Sequence, residues 1–180
     1  MTPQPTTAAR WTTAIIVMGV SGAGKSTVAA RLAQRLNRSF LEGDSFHPRQ
    51  NVEKMKQGIP LADDDRMPWL IAIAARIEDA RRAGQQIVVT CSALKRAYRA
   101  TLAANNDDVG FVYLKGGKEL IAARLAVRPG HFMPPQLLDS QFAALQEPAA
   151  DEPSIVVPID ATPDDIVEAL VETFTAEGRL

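Results

Sequence analysis

Short apolar runs alternate with longer amphipathic stretches along the 180-residue chain. The runs are rich in β-branched residues and contain almost no polar ones, which is typical of strands covered on both faces of a parallel sheet. They predict five strands, at residues 14–18, 39–41, 87–90, 111–114 and 155–157.

Apolar residues at helical spacing predict helices between these strands. Val28, Leu32 and Leu36 recur every four residues and give the first helix one apolar face. Thr162, followed by a proline and two aspartates, is typical of a capped helix start. We interpret Pro68 as lying near the first turn of another helix, where its missing N–H costs little. The remaining predicted helices cover residues 51–57, 69–83, 95–104 and 118–127, and the last helix ends near residue 175.

Repeated alternation of strand and helix predicts an α/β fold, with a five-stranded parallel sheet and helices on both faces. The length suits a single domain, which we place at residues 13–180. Residues 1–12 predict a short flexible N-terminal tail without the pattern of a secretory signal. Residues 128–136 are rich in proline and glycine and break the alternation, which indicates a lid near residues 124–146.

The amino-acid composition limits which partners and cellular compartments we expect for this chain. Twenty basic and 21 acidic residues give a formal net charge of -1, which argues against a general nucleic-acid binder. The early apolar run at residues 14–18 is too short to span a membrane. Cys91 is the only cysteine, so no intrachain disulfide can form, and we expect a cytoplasmic protein. Cys91 itself is expected to pack as a small hydrophobe.

The link between the first strand and first helix is the main chemical signal. Residues 18–27 read M-G-V-S-G-A-G-K-S-T and contain the complete pattern G-x-x-x-x-G-K-[ST]. Glycines let backbone N–H groups turn toward phosphate oxygens, and the helix adds its positive dipole end. We expect Lys25 to reach the β and γ phosphates of ATP and Ser26 to hold Mg²⁺. The predicted ATP-binding residues of this cradle are Gly19, Val20, Ser21, Gly22, Ala23, Gly24, Lys25, Ser26 and Thr27.

The alternatives to an ATP cradle are a plain glycine-rich turn with an exposed lysine, or a dinucleotide site. The third glycine of a G-x-G-x-x-G pattern is missing here, which disfavours the dinucleotide site. No D-x-x-G follows a predicted strand and no N-K-x-D is present, which disfavours a GTP switch. A motor protein needs additional structure to transmit force, and five strands without an added domain offer little of it. A small-molecule kinase is therefore favoured.

The acceptor side is expected at the carboxyl end of the second strand, where ligands bind in open parallel sheets. Asp44 follows that strand and could orient a substrate hydroxyl and accept its proton. The alternative is an ordinary turn aspartate. Arg66 could pair with a substrate carboxylate, or it could be a surface arginine. His47 is equally a hydrogen-bonding site residue or a loop histidine.

We expect other polar residues at the same edge of the predicted sheet. Lys54 follows the second strand, and Ser92 and Lys95 follow the third and add hydroxyl and cationic groups. The acids at 63–65 are interpreted as a solvated turn or a helix cap, with residue 65 as a possible cap. In the lid, Arg124 and Arg128 are four residues apart, so both lie on one helix face and could neutralise charge on the transferred phosphoryl group.

Several stretches together resemble the gluconokinase family. They are the cradle at 18–27, L-E-G-D-S-F-H-P-R-Q-N-V-E-K-M-K-Q-G-I-P-L-A-D-D-D-R-M-P-W-L at 41–70, and C-S-A-L-K-R-A-Y-R at 91–99. The shorter stretches F-V-Y-L-K-G, R-P-G-H-F-M and L-Q-E-P-A-A-D-E extend the resemblance over nearly the whole chain.

The resemblance implies a P-loop fold like that of nucleoside monophosphate kinases. It also implies ATP-dependent phosphorylation of D-gluconate at O6, giving 6-phospho-D-gluconate and ADP in D-gluconate catabolism, with Mg²⁺, in the cytoplasm, by a homodimer. Lys25, Asp44, Arg124 and Arg128 would be catalytic. The substrate would be bound by Asp44, His47, Lys54, Arg66, Ser92 and Lys95. A kinase of another hydroxy acid, such as shikimate, and a non-enzymatic ATP-binding regulator remain alternatives.

Overall fold

The computed structural model of the chain describes residues 10–127 and 135–180. Its five strands are β1 Ala14–Met18, β2 Ser39–Leu41, β3 Ile87–Thr90, β4 Val109–Lys115 and β5 Ser154–Pro158. Its α-helices are α1 Lys25–Arg35, α2 Arg49–Lys56, α3 Asp63–Arg82, α4 Arg96–Ala103, α5 Lys118–Ala126, α6 Pro135–Ala144 and α7 Pro163–Ala176. A short 3₁₀ helix, Gly43–Phe46, follows β2.

The strands form one parallel sheet in the order β2-β3-β1-β4-β5, which confirms the predicted fold class. Ile15 and Val17 of β1 pack into one apolar cluster with α1 and α7. Ile16 and Met18 pack into a second cluster with α3 and α4. Successive side chains of a strand face opposite sides, so this central strand supplies both layers.

The N-terminal boundary differs from the predicted tail of residues 1–12. Trp11 is fully buried and meets the ring of Phe174 edge-on, with 5.5 Å between ring centroids. The backbone N–H of Trp11 donates to the carbonyl of Arg179 over 2.7 Å. Gly110 makes room for it, because a Cβ there would lie 1.8 Å from the indole. The packed domain therefore begins by residue 11, since an indole gains more free energy from burial than a polar tail would.

Helix α3 begins at Asp63, six residues before the start that we predicted at residue 69. Pro68 thus lies inside the helix and not at its first position. Asp65 stabilises the early start because its carboxylate accepts a hydrogen bond from the N–H of Ala62 over 3.0 Å. The proline deprives only the carbonyl of Asp64 of its usual donor, and that residue is exposed to solvent.

Within the described residues, no helix is both long enough and apolar enough to cross a membrane.

Replacing Trp11 by alanine should lower the free energy of unfolding by about 3–5 kcal/mol, because a large buried side chain is removed. Urea denaturation followed by circular dichroism measures this change. The exposed neighbour Thr12 is the matched control, and Thr12→Ala should change stability by less than about 0.5 kcal/mol. Equal stabilities of the two variants would show that residue 11 belongs to a loose tail.

Candidate active site

The turn between β1 and α1 has the backbone shape that a phosphate cradle requires. Gly22 and Gly24 have φ angles of 84° and 95°, in the left-handed region that favours glycine. A Cβ on Gly22 would also lie 2.8 Å from the Leu125 side chain, so α5 approaches the turn too closely for any side chain there. The glycines predicted from the motif are therefore needed for the conformation.

The N-terminus of α1 is suited to an anion. Gly24 caps this helix without a side-chain hydrogen bond, and its first turn contains no acidic residue. Its backbone N–H groups and dipole can therefore act on phosphate oxygens. Lys25 Nζ donates to the carbonyl of Val20 over 3.0 Å, which places the ammonium beside the turn. Ser26 and Thr27 are exposed in the first turn, where Ser26 can reach a phosphate-bound cation.

A cavity of about 290 Å³ adjoins this turn. It lies among the cradle, α5 and the start of α7, and it is lined by Gly22, Ala23, Gly24, Thr27, Val28, Arg124, Leu125, Ala161, Pro163 and Ile166. The guanidinium of Arg124 donates to the carbonyl of Ile159, which holds Arg124 at the cavity wall. Arg128 lies outside the described residues.

Charged groups from three segments converge at the carboxyl end of β3. Cys91 is buried there, and burial raises the pKa of its thiol to about 12, which fits its expected packing as a small hydrophobe. The charges of Lys25, Asp44 and Arg66 all act on this thiol. Lys25 and Asp44 follow β1 and β2 at the same edge of the parallel sheet, whereas Arg66 lies near the start of α3.

The backbone that carries Asp44 is tightly fixed. The N–H of Gly43 donates to Thr90 Oγ1 over 2.9 Å, and Trp69 Nε1 donates to the Gly43 carbonyl over 2.7 Å. Thr90 in turn donates its hydroxyl hydrogen to Glu42. A Cβ on Gly43 would lie 1.8 Å from the Thr90 carbonyl oxygen. Next to this anchored residue, the Asp44 side chain is 73% exposed and accessible to a substrate.

His47 is buried between the 3₁₀ helix and α3. Its side chain is only 4% exposed and stacks on Trp69, with 4.0 Å between ring centroids. Burial lowers the pKa of His47 to about 4, so the ring is neutral at pH 7. Its Nδ1 lies 3.5 Å from the Asn51 amide, and its Nε2 lies 4.0 Å from Asp44. The stacking on Trp69 fixes the ring in place, and a role of His47 as a hydrogen-bonding site residue stays a prediction.

Both candidate lysines of the acceptor side are paired with acids of α3. Lys54 Nζ lies 2.7 Å from Asp65, and Lys95 Nζ lies 2.7 Å from Asp63. Hydrogen bonds from these lysines lower the pKa of each partner carboxyl group, and Tyr98 adds a second hydrogen bond to Asp63. Asp63 is exposed in the first turn of α3, in agreement with the interpretation as a solvated residue, and it also pairs with Lys95; Asp65 caps the helix.

The surroundings of Arg66 differ from those of the two lysines. It is half-buried, and its Nε donates to the Leu61 carbonyl over a long 3.4 Å. In the described part of the chain it forms no ion pair, although its charge lowers the pKa of His47. Ser92 is half-buried nearby, and its carbonyl accepts a 3.3 Å hydrogen bond from the N–H of Gly19. The acceptor loop is thus joined to the cradle.

Two contacts were missed by sequence reasoning. Gln141 of α6 accepts a hydrogen bond from the N–H of Ser21 in the cradle over 2.7 Å, although we had assigned α6 to the lid. The Glu42–Thr90 contact was missed as well. Neither pair carries a spacing signal, since the partners are 120 and 48 residues apart.

The chain is similar to known proteins over most of its length. A family model described as an AAA domain matches residues 15–148. The thermoresistant gluconokinase of Escherichia coli (strain K12) is 46% identical over 160 residues, covering 88% of this chain and 91% of that protein. The gluconokinase of Gluconobacter oxydans (strain 621H) is 48% identical over 163 residues, covering 91% and 92%. This chain belongs to the gluconokinase family.

Solved structures agree with this membership. A gluconokinase from Sinorhizobium meliloti 1021 is 39% identical to this gluconokinase family member, with a TM-score of 0.81 over 93% of this chain and 98% of that chain. The shikimate kinase of Aquifex aeolicus is only 15% identical, with a TM-score of 0.65 over 92% of this chain and 98% of that chain. That second likeness shows the shared fold alone.

Replacing His47 by phenylalanine should flatten the pH dependence of stability. Between pH 6.5 and about 4 the unfolded chain binds a proton that the folded His47 does not, so stability falls as the pH falls. The wild type should lose about 2–3 kcal/mol more than the variant between pH 7.5 and 4.5. Urea denaturation at both pH values measures this difference, and an identical loss in the two proteins would contradict a buried neutral ring.

Proposed function

We propose that this family member is itself a gluconokinase: it transfers the γ-phosphoryl group of ATP to O6 of D-gluconate, giving 6-phospho-D-gluconate and ADP in D-gluconate catabolism. The observation that carries this proposal is that Lys25 of the cradle follows β1 and the exposed Asp44 follows β2 at one edge of the sheet, with the half-buried Arg66 near the start of α3. These groups supply a phosphate ligand, a proton acceptor and a cation for an acidic substrate. The family membership selects the sugar acid.

ATP would bind with its phosphates on the cradle N–H groups and Lys25, and its base in the 290 Å³ cavity. Ser26 would hold Mg²⁺, which when bound offsets the negative charge of the phosphates. Ser26 is exposed in the first turn of α1, so its hydroxyl fits an ion that is also bound by the phosphates; among the described residues no group of three or more acidic, histidine or cysteine side chains could hold a metal ion. Arg124 would stabilise charge on the phosphates from the cavity wall, and Arg128 keeps the same predicted role.

The acceptor hydroxyl would be oriented by Asp44. As its oxygen bonds to the γ phosphorus, the bond from that phosphorus to the β–γ bridging oxygen breaks, and ADP leaves with that oxygen. The hydroxyl proton passes to the Asp44 carboxylate. The fixed backbone at Gly43 restricts where this carboxylate can lie, which limits the entropy lost on reaching a reactive geometry.

The carboxylate of gluconate would pair with Arg66. Lys54 is the other candidate, but its charge is already balanced by Asp65, and that of Lys95 by Asp63. Arg66 has no such partner among the described residues and is half-buried. A substrate carboxylate could therefore form an ion pair with its guanidinium. Lys54, Lys95, Ser92 and His47 would border the sugar hydroxyls.

A homodimer and a cytoplasmic setting, both implied by the family resemblance, stay predictions. Sedimentation equilibrium decides the first and cell fractionation the second.

Replacing Asp44 by asparagine should lower kcat with D-gluconate by about 10²–10⁴-fold, because the proton acceptor is lost while the shape is kept. Coupled ADP release measures turnover, and calorimetry with a non-hydrolysable ATP analogue should show unchanged binding. Asp64→Asn, at an exposed position of α3, is the control and should keep full activity. Full activity of the Asp44 variant would indicate another base, and no release with any sugar acid would favour a regulator.

Replacing Arg66 by methionine should lower kcat/KM for D-gluconate by about 30- to 150-fold, since an ion pair worth about 2–3 kcal/mol is lost. D-glucitol has the same terminal hydroxyl and no carboxylate, so its weak turnover should not change. Lys54→Met is the comparison and should have the smaller effect. A larger effect of the lysine variant, or equal wild-type efficiencies with gluconate and glucose, would refute the pairing with Arg66.

A further inference from the structure

One N–H group of the phosphate cradle is directed to the protein and not to the ligand side. The Ser21 N–H donates to Gln141 Oε1 over 2.7 Å, and this bond is partly shielded from solvent. A backbone N–H that is removed from water needs such a partner. The side chain that provides it comes from α6, a helix 120 residues further along the chain.

The helix that carries Gln141 is firmly attached to the domain. Leu138, one turn earlier, is buried in the same apolar cluster as Val20 and Ala23 of the cradle. Asp139 forms a 2.8 Å ion pair with Lys118 of α5. These contacts hold α6 against the cradle, so the position of Gln141 is set by packing and not by its own side chain alone.

The segment after α6 is also fixed. The Gln146 N–H donates to the Leu94 carbonyl over 2.8 Å. The buried guanidinium of Arg99 donates to the Gln146 carbonyl over 2.9 Å and pairs with Glu152 at 2.6 Å. The chain is therefore anchored on both sides of Gln141, by Leu138 and Asp139 before it and by Gln146 after it.

We propose that Gln141 is a positioning residue for the phosphate cradle. By fixing Ser21, it keeps the following N–H groups of the turn directed at the phosphates before ATP arrives. Preorganised donors bind and stabilise charge better, because no free energy is spent on aligning them. The inference rests on the ATP-dependent activity proposed above, and it assigns to Gln141 no contact with the nucleotide.

The test compares Gln141→Met with Gln136→Met, which changes an exposed glutamine of the same helix. Loss of the acceptor should weaken binding of a non-hydrolysable ATP analogue by about 5- to 30-fold, as expected for one unsatisfied N–H group. KM for D-gluconate should stay within about 2-fold of the wild type. The Gln136 variant should match the wild type in both measurements.

Amide hydrogen exchange followed by NMR reads the contact directly. The Ser21 amide should exchange faster in Gln141→Met, and Gln141→Glu should restore its protection because a carboxylate supplies the same acceptor. The added charge of Gln141→Glu should also weaken analogue binding more at low salt than at high salt, since it lies near the phosphates.

Three results would overturn the inference: unchanged analogue binding in Gln141→Met, unchanged Ser21 exchange, or equal losses for both substrates together with a lower Tm. Analogue binding is measured without an acceptor, so the result does not depend on gluconate being the substrate. If the wild type binds no ATP analogue, the proposed function and this inference both fail. If the wild type binds the analogue and Gln141→Met binds it equally well, only this inference fails.

Discussion

Parallel strands must all end at the same edge of their sheet, and the positions of the cradle, Asp44 and Ser92 follow from this constraint. β1 ends in the cradle, β2 in Gly43 and Asp44, and β3 in Cys91 and Ser92. Hydrogen bonds then join these ends to one another, from Gly43 to Thr90 and from Gly19 to Ser92. The site is therefore built by backbone geometry first, and its side chains act from a rigid base.

The charged residues at the acceptor edge of the sheet divide into those that form ion pairs and those that do not. The acids of α3 balance Lys54 and Lys95, which keeps both lysines in place without leaving them available for a further full ion pair. Arg66 forms no ion pair among the described residues and Asp44 is exposed, so both are available to the substrate proposed above. A neutral His47 beside them adds no charge that would disturb this division.

Sequence reasoning recovered the fold and the cradle because both depend on local signals. β-branched runs mark buried strands, and G-x-x-x-x-G-K-S requires glycines at positive φ. It failed where the deciding partner is distant in the chain. Trp11 is buried by Phe174, and Gln141 meets Ser21 across 120 residues. No periodicity in the sequence encodes such pairings.

The edge-on contact between Trp11 and Phe174 has a consequence for biosynthesis. Trp11 leaves the ribosome early, and the aromatic ring that covers it is translated more than 160 residues later. At about 5–20 residues per second, this apolar indole lacks its final cover for roughly 10 to 30 s. The indole therefore reaches its final packing only after α7 has been translated and has docked.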